Sequence, residues 1–320
     1  MHSLDELGIV AIPLPTHFPV GDVNVFLVKR DPPLLVDTGL RTDETYEKLT
    51  AAFKENGYAI SDLGGIIVTH GHRDHVGMLG RLAEESGAPV YAHPLVGRQS
   101  AAQLADAEGR RLFYVGIMHE FGVPEEVRDQ VNSLYDKFQA MSDFFEVDVS
   151  FEDGGETLGY RTVFVPGHSA SDTLLIDEAN GYTFVGDHIL TTSNPNPLIR
   201  RAENGGPRPK SLVEYQDSLR KGRALDLGLC LPGHGEPFRD HVAVIDGILA
   251  RQDKRSQQVL KLVTEGHSTP YAVSRILFPN LPLENIHLGL SIAIGHMEVL
   301  ETRGELAEAR DNGALRYIPV

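Results

Sequence analysis

Thr69-His70-Gly71-His72-Arg73-Asp74-His75 is the stretch from which the rest of the chain can be interpreted. It follows a short apolar run, Ile66-Ile67-Val68, and precedes residues 76–85, which read as a helix. The apolar run predicts a buried strand, so three histidines and an aspartate fall on a strand-to-helix loop. Side chains on such a loop can converge because a rigid scaffold holds both of its ends.

The spacing within this stretch indicates two adjacent metal positions rather than one. His70 and His72 are two residues apart and can share one face of an extended chain, whereas Asp74 and His75 must point elsewhere. Imidazole and carboxylate ligands suit zinc, and also iron or manganese. A solvated polar loop is the alternative, but four ligand-type side chains in six positions form a dense cluster.

Composition narrows the class of protein. At 320 residues, with 41% hydrophobic and 23% charged residues, the chain suits one large globular domain plus a smaller one. A single cysteine, Cys230, excludes an internal disulfide framework and predicts a cytoplasmic location. The first residues lack signal-peptide features, and no apolar run is long enough to span a bilayer, so we expect no membrane association.

The charge of the chain argues against a broad nucleic-acid surface. The formal net charge is −16, and because residues 241–320 hold eight basic and nine acidic residues, residues 1–240 carry −15 of it. Phosphate backbones need clustered cations. The nearest approach to such a cluster consists of spaced basic residues, namely Arg200, Arg201, Arg208, Lys210, Arg220, Lys221 and Arg223.

Further apolar strands end in the same manner as the first. Strands are predicted at 23–28 and 34–36, the second ending at Asp37-Thr38-Gly39, and a helix at 44–56 is closed by Gly57. Three later apolar runs end in Gly167-His168, Gly186-Asp187 and Gly233-His234. Strands that alternate with helices predict a layered α/β domain, and each strand end supplies a candidate ligand.

Residues 95–147 interrupt this alternation. An apolar stripe with helical spacing predicts one long helix after Pro124; it comprises Val127, Val131, Leu134, Phe138, Met141 and Phe145. One interpretation is a helix packed on the domain surface. The other is a helical insertion that covers the site and makes Phe138 a candidate substrate contact.

Residues 241–320 form a separate, mainly helical module in this interpretation. Thr269-Pro270 starts one helix, and another runs from 283 to 303 and ends at Gly304. A hairpin is predicted around Asp311-Asn312-Gly313, which completes a winged-helix-like pattern. The helix at 283–303 is mostly apolar, which favours packing or homodimer formation over contact with nucleic acid.

Taken in order, the motifs resemble the metallo-β-lactamase superfamily of hydrolases. The resemblance spans residues 8–240, and the C-terminal module is similar to that of the lactamase-β-like protein 2 group within the glyoxalase II-type enzymes. It implies a four-layer αβ/βα sandwich with a helical insertion at about 95–147 and a winged-helix-like module at 241–320. An aspartate at 187, rather than a cysteine, favours a two-metal hydrolase over a true β-lactamase.

The resemblance also implies a role for each residue of the motifs. His70, His72 and His168 would hold one divalent metal ion, Asp74, His75 and His234 a second, and Asp187 would bridge them, while Asp37 would orient a ligand from behind. Zinc is the expected metal, with iron or manganese as alternatives. A hydroxide between the two ions would be the nucleophile, and Asp74 would orient it and carry a proton.

The resemblance gives a candidate role to only some of the other residues near these motifs. His17 lies where the family lines the mouth of its pocket and is a candidate substrate contact. His93 and His188 are interpreted as structural. The loop after His168 lacks the proline-glycine pair that the family often has, which leaves any substrate contact from Asp172 open.

The predicted function is hydrolysis of a small ester-like bond in a thioester, lactone or carboxylic ester. A phosphodiesterase or single-strand RNA endonuclease is the first alternative, because winged modules often bind nucleic acid, although the acidic charge opposes it. Iron-dependent redox chemistry on the same ligand set is the second. The expected partner is therefore a small-molecule substrate.

Overall fold

The structure is a computed structural model of this chain, and it describes residues 3–16, 18–138, 145–202 and 205–320. For residues 102–104, 107 and 134–138 it describes the backbone only. Contacts divide the chain into two compact units. The first draws on Met1–Ala105, Met141–Pro195 and Lys221–Val244, and the second on Asp106–Ala140, Asn196–Arg220 and Ile245–Val320. The domain boundary predicted at residue 240 stays a prediction.

A six-stranded sheet forms one layer of the first unit. In spatial and chain order its strands are β1 (Ile9–Leu14), β2 (Val23–Val28), β3 (Leu34–Val36), β4 (Gly65–Ile67), β5 (Val90–Ala92) and β6 (Val149–Ser150). The first three are antiparallel, and β3 to β6 are parallel. Parallel neighbours need crossover connections, which here contain helices. The predicted strands at 23–28 and 34–36 are therefore present.

Helices cover one face of this sheet. They are α1 (Asp43–Glu55), α2 (Arg73–Val76), α3 (Leu79–Ser86) and α4 (Pro94–Ala105). Leu49 and Phe53 of α1 and Leu82 of α3 are buried in a core with the sheet. The Thr42 hydroxyl caps α1 by accepting the Thr45 N–H, so the predicted helix begins and ends within a residue of the expected positions.

The helix predicted to begin at Val76 is instead divided into α2 and α3. The Met78 N–H donates to the Gly39 carbonyl at 3.2 Å rather than to a carbonyl one turn back. A side chain at Gly77 would lie 2.6 Å from the Arg41 nitrogen and 2.8 Å from the Gly39 carbonyl oxygen. Glycine at 77 therefore allows the loop after β3 to approach closely, and this contact interrupts the helix.

A second, five-stranded sheet faces the other side of the first. Its strands are β7 (Glu156–Thr157), β8 (Tyr160–Phe164), β9 (Thr173–Asp177), β10 (Tyr182–Gly186) and β11 (Leu229–Pro232), in the order β11-β10-β9-β8-β7. Buried residues from both sheets form one core, including Phe26, Val36, Ile67, Leu175 and Phe184. The first unit is thus a layered α/β structure, with helices on one sheet and a second sheet on its other face.

The second unit is mainly helical. It contains α5 (Ala107–Glu120), α6 (Glu125–Phe138), α9 (Pro270–Leu277), α10 (Ile286–Thr302) and most of α7 (Ser211–Arg223) and α8 (His241–Thr264), with the hairpin of β12 (Leu306–Asp311) and β13 (Ala314–Pro319). Its core includes Phe121, Val259, Val273, Ile294 and Tyr317. The hairpin turn places Asn312 and Gly313 at φ +50° and +83°, as a tight turn of this kind requires. The winged-helix interpretation of this unit stays a prediction.

The apolar stripe predicted as one helix does not continue as a helix to Phe145, which lies outside any helix or strand. The described part of α6 extends to Phe138, and residues 139–144, which include Met141, lie outside the described residues. Phe145 is buried in the core of the first unit, where its N–H donates to the Ser100 hydroxyl at 3.2 Å. No helix among the described residues has the length and apolar character needed to cross a membrane.

Candidate metal centre

Five strand ends bring the predicted ligands to one place. In the first sheet, β3 and β4 are parallel, so Asp37 and the loop 69–75 leave the sheet at the same edge. In the second sheet, β9 is antiparallel to both β8 and β10, and β10 is parallel to β11. Consequently β8, β10 and β11 end on the same side. The residues just beyond these three ends are His168, Asp187 and His234.

Asp37 fixes the loop that follows β4. Its Oδ1 accepts the Thr69 N–H at 2.8 Å, and its Oδ2 accepts the Thr69 hydroxyl at 2.7 Å and the His75 Nδ1–H at 2.8 Å. The residue is 1% exposed and has φ +61°, a left-handed conformation that aspartate tolerates better than most residues. The three hydrogen bonds stabilise this conformation and orient His75.

Hydrogen bonds also determine which ring nitrogen of three histidines faces the cluster. His234 Nδ1 lies 2.8 Å from the Asp22 carbonyl oxygen, which can only accept, so Nδ1 carries a proton. The Thr69 hydroxyl donates to Asp37 and therefore accepts from His70 Nδ1 at 3.1 Å. With His75 Nδ1 donating to Asp37, each of these rings turns Nε2 toward the cluster, as metal-binding histidines do.

The side chains converge into three groups whose members could each give one ligand atom to a metal ion. Within each group the ligand atoms lie within 4.8 Å of one another. The groups are His70–His72–His168, His70–His75–Asp187 and Asp74–His75–His234. We call the first the imidazole group and the third the carboxylate group. These two share no residue, and the three groups together contain all seven predicted ligands.

Asp187 lies between the imidazole group and the carboxylate group. Its Oδ2 is 3.5 Å from His168 Nε2 and 3.5 Å from His234 Nε2, and its Oδ1 is 3.5 Å from His75 Nε2. It follows β10 directly, after Gly186, and is 5% exposed. One carboxylate is therefore placed to give an oxygen atom to a cation on either side.

Unpartnered buried atoms show that the residues fit a metal ion. His75 Nε2, His168 Nε2, His234 Nε2 and Asp187 Oδ1 are buried and make no hydrogen bond. Each such atom costs about 1–3 kcal/mol if nothing satisfies it, and a cluster of four facing one another needs a common partner. A cation bound by imidazole nitrogens and carboxylate oxygens would satisfy them all, and this donor set suits zinc, iron or manganese.

The imidazole group and the carboxylate group differ in charge. Burial lowers the pKa of His168 to about 3 and that of His70 well below its usual value, so the imidazole group is neutral. Burial also opposes a charge on His234, but the nearby carboxylates of Asp187 and Asp74 raise the pKa of this histidine to about 9. The carboxylate group therefore pairs one negative side chain, Asp74, with two histidines whose pKa values are raised.

Comparison with known proteins decides the family. A sequence model described as the metallo-beta-lactamase superfamily matches residues 18–234, which is more than half of the chain. The chain belongs to the metallo-β-lactamase superfamily. The predicted family is thus confirmed, and the protein is a hydrolase-type enzyme of this fold, whereas its subgroup stays a prediction.

Individual relatives of this metallo-β-lactamase chain agree with that assignment. The chain is 31% identical over 296 residues to the probable metallo-hydrolase YqjP of Bacillus subtilis, which covers 92% of both chains. It is 24% identical over 228 residues to an atrochrysone carboxyl ACP thioesterase of Aspergillus fumigatus, covering 71% of this chain and 55% of the relative. The crystal structure of TTHA1429, a metallo-β-lactamase family protein of Thermus thermophilus, superposes with a TM-score of 0.83 at 24% identity, covering 98% and 99% of the two chains.

Gly233 allows the strand ends of this metallo-β-lactamase fold to approach closely. A side chain at position 233 would lie 2.3 Å from Asp187 Oδ1 and 2.6 Å from the His75 ring. The glycine before His234 is therefore required by space within the ligand cluster. This lack of space explains why a glycine stands next to the ligand residue in the sequence.

The other predicted site residues lie elsewhere or outside the described residues. His17 is outside them, and only the backbone of Phe138 is described, at the end of α6. His93 packs on Phe164 with ring centroids 4.0 Å apart, and its Nδ1 accepts the Leu95 N–H. Asp172 Oδ2 accepts the Ser169 N–H at 2.8 Å. Neither His93 nor His188 belongs to a ligand group formed by the described residues.

Three residues that the sequence did not single out contact the ligand loops. Thr69 links Asp37 to His70, and its position immediately before the histidine motif was the only available signal. Ser171 and Asn24 bind backbone groups beside ligands from 100 and 208 or more positions away in sequence. No periodicity or motif could have identified these two.

Proposed function

We propose that this chain is a two-metal hydrolase that cleaves a small ester-like bond in a thioester, lactone or carboxylic ester. The observation that carries the proposal is the position of Asp187 within 3.5 Å of ring nitrogens from the imidazole group and from the carboxylate group. Two separate ligand groups joined by one carboxylate suit two divalent ions, and zinc fits the nitrogen and oxygen donors best, with iron or manganese as alternatives.

The ligand residues have defined tasks in such a site. Two bound cations would lower the pKa of water and so supply a nucleophile near neutral pH. Burial raises the pKa of Asp74, but the nearby imidazoles of His75 and His234 hold it below its usual value, so Asp74 stays ionised. Its carboxylate would accept a proton from the attacking water and return it to the leaving group. Asp37 accepts the His75 Nδ1–H and so keeps His75 Nε2 directed toward the ligand cluster.

Charge supports an ester over a phosphodiester substrate. Six of the seven spaced basic residues named in the sequence analysis are paired with carboxylates: Arg200 with Glu214, Arg201 with Asp106, Arg208 with Glu298, Lys210 with Glu301, Arg220 with Asp217 and Lys221 with Asp153. A phosphate backbone would have to displace these partners. The named thioesterase among the relatives points in the same direction, toward a carbonyl substrate.

A cytoplasmic location, a small-molecule partner and a homodimer complete the proposal. The lone Cys230 is buried, which accords with a compartment where thiols stay reduced. Phosphodiester hydrolysis and iron-dependent redox chemistry are the competing activities, and both can be tested on the same protein.

The test combines metal analysis with a substrate panel. Protein purified without added metal is analysed for zinc, iron and manganese, and then assayed on thioesters, lactones, carboxylic esters, a phosphodiester and single-stranded RNA. We expect two metal ions per chain and the highest kcat/KM on one of the ester classes. Chelator-treated protein and the Asp74→Ala variant serve as controls and should both lose turnover.

Two results would contradict the proposal. One is RNA turnover that exceeds every ester in kcat/KM, falls steeply with salt and disappears in both controls, which would indicate a nuclease. The other is a bound iron pair together with oxygen consumption and no hydrolysis, which would indicate redox chemistry.

A further inference from the structure

A single buried hydroxyl connects all three members of the imidazole group. Ser171 is 0% exposed and lies three residues after His168. Its Oγ accepts the Gly71 N–H at 3.0 Å. Gly71 is the residue between His70 and His72, so the Ser171 hydroxyl holds the peptide that sets the direction of both rings. It does so from the loop that carries the third ring.

Ser171 is itself held firmly. Its N–H donates to the Ser169 Oγ at 3.2 Å, and the two hydroxyl oxygens are 3.0 Å apart. The Thr173 hydroxyl donates to the Ser171 carbonyl at 3.0 Å, and Asp172 accepts the Ser169 N–H. Because the loop is braced on both sides, displacement of the Gly71 peptide relative to His168 requires the Ser171 hydrogen bond to break.

A different side chain holds His234 of the carboxylate group. Asn24, at the start of β2, donates through Nδ2 to the Pro232 carbonyl at 3.0 Å and to the Gly235 carbonyl at 2.7 Å. Its backbone N–H donates to the Gly233 carbonyl at 2.7 Å. These three bonds enclose His234, while His234 Nδ1 donates to the neighbouring Asp22 carbonyl. The Asn24 side chain therefore acts on the loop that carries a ligand of the carboxylate group.

We propose that Ser171 and Asn24 are positioning residues, each for one metal position: Ser171 for the imidazole group and Asn24 for the carboxylate group. This inference rests on the proposed function, because it takes both groups to bind metal. Residues that hold metal ligands in place commonly change metal affinity by 10–100-fold when replaced. Separate positioning residues would let the affinities of the two positions change independently.

The variants remove these hydrogen bonds with little change of shape. Ser171→Ala deletes the hydroxyl that accepts the Gly71 N–H, and Ser171→Thr keeps a hydroxyl and should restore binding. Asn24→Asp has the same size, but a carboxylate cannot donate to the Pro232 and Gly235 carbonyls and is repelled by both. We expect Ser171→Ala and Asn24→Asp each to weaken metal binding 10–100-fold, and each at one metal position only.

Each position is measured alone in a background that lacks the other. The His234→Ala variant retains the imidazole group, and the His72→Ala variant retains the carboxylate group. Zn²⁺ dissociation constants are obtained by competition with a chromophoric chelator, and the Co²⁺ absorption spectrum reports ligand geometry. In the His234→Ala background, Ser171→Ala should raise Kd 10–100-fold and Asn24→Asp should not. In the His72→Ala background, Asn24→Asp should raise Kd 10–100-fold and Ser171→Ala should not.

Matched control variants delete the same kinds of hydrogen bond elsewhere. Ser86→Ala removes a hydroxyl that accepts the Ala88 N–H at 3.1 Å, and Asn56→Asp removes an amide that donates to the Ala52 carbonyl at 2.8 Å. Neither should change Kd or the Co²⁺ spectrum, whatever it does to thermal stability.

The outcomes separate this inference from the proposed function. If the parent protein binds two metal ions but Ser171→Ala and Asn24→Asp weaken both positions equally, or only to the extent that the controls do, the inference is wrong. If the parent protein binds fewer than two metal ions, the proposed function is wrong, and the inference falls with it. Selective loss with rescue by Ser171→Thr would establish the assignment.

Discussion

Both compact units bury polar side chains, but they satisfy them differently. In the second unit these side chains pair with one another: Arg208 with Glu298, Ser256 with His296 and Gln216 with Gln252. In the first unit the side chains of seven residues converge, and five of their ring nitrogens and carboxylate oxygens make no hydrogen bond. Burial of polar groups is common to both units, so burial alone does not identify the site. Convergence of unpartnered ligand atoms does.

Glu298 sharpens this distinction because it also has an unpartnered atom. Its Oε2 is buried and makes no hydrogen bond, yet Glu298 belongs to no ligand group among the side chains that the structure describes. One orphaned oxygen beside an arginine is a structural group with a shifted pKa. Several orphaned atoms around one point are the arrangement that a bound cation would satisfy.

The largest effect is expected for Asp74→Asn in the first unit. The amide keeps the size of the side chain but cannot carry a proton, so turnover should fall about 10³-fold, or about 4 kcal/mol in transition-state stabilisation. Asp148→Asn is the control, because Asp148 Oδ2 accepts the Val90 N–H outside the ligand cluster. Kinetics on metal-loaded protein, with thermal unfolding to show an intact fold, provide the measurement. Turnover close to that of the parent enzyme would exclude the proton-transfer role.

A pH-dependent stability effect comes next, and it belongs to the second unit. Burial raises the pKa of Glu298 from 4.5 to about 7, despite the opposing charge of Arg208. A carboxyl whose pKa is raised by folding stabilises the fold below pH 4.5 and loses that contribution as the pH rises through 7. The loss is about 3 kcal/mol. Urea unfolding at about pH 4.5 and about pH 8 measures it.

The Glu298→Gln variant isolates this contribution, because glutamine does not ionise. We expect the difference in unfolding free energy between about pH 4.5 and about pH 8 to be smaller in the variant than in the parent by about this amount. Metal content should stay unchanged. The same pH dependence in both proteins would show that Glu298 does not retain a proton in the fold.

The sequence predicted the strand ends well, because their signal is local. Apolar runs that end in a ligand residue predicted the positions of Asp37 and His70, and runs that end in a glycine and a ligand residue predicted those of His168, Asp187 and His234. The structure places all five after strands. The division of the helix at Gly77 was missed, because it depends on a hydrogen bond from Met78 to Gly39, which lies in a separate loop. Helical spacing carries no information about such a contact.

The residues that hold the ligands could not be predicted for a similar reason. Ser171 and Asn24 act through side-chain bonds to backbone groups of distant segments, and any serine or asparagine in a loop looks the same in sequence. The stripe at 127–145 was wrongly extended. Phe145 has the helical spacing of the stripe but packs in the core of the first unit, whereas Val127 and Val131 pack in the core of the second. Spacing alone does not show which core a side chain joins.

A third prediction concerns Asp37, which touches the cluster without belonging to a ligand group. Asn at position 37 would place a donor where Asp37 Oδ2 now accepts from both Thr69 and His75. His75 would lose its orientation, and metal affinity should fall 10–100-fold, or about 1.4–2.7 kcal/mol. Chelator competition measures the change. Unaltered affinity in Asp37→Asn would mean that packing alone orients His75.

The smallest effect is expected for Ser256→Ala. This variant removes a buried serine hydroxyl from the second unit, as Ser171→Ala does from the first. Ser256, like Ser171, is 0% exposed, and its Oγ lies 2.9 Å from His296 Nδ1. Burial lowers the pKa of His296 to about 3, so this ring is neutral and needs a hydrogen-bond partner rather than a counterion. The lost bond costs about 1–1.5 kcal/mol, and the better helix propensity of alanine within α8 returns about 0.5 kcal/mol.

The net expectation for Ser256→Ala is a loss of about 1 kcal/mol in unfolding free energy with both metal ions retained. Denaturant unfolding and metal analysis of the same preparation decide it. A buried serine in the second unit supports only its neighbours, whereas Ser171 supports ligands. If Ser256→Ala released metal as Ser171→Ala is expected to, metal loss would be a general consequence of weakening the fold. The contrast between a paired and a converging polar cluster would then have no functional meaning.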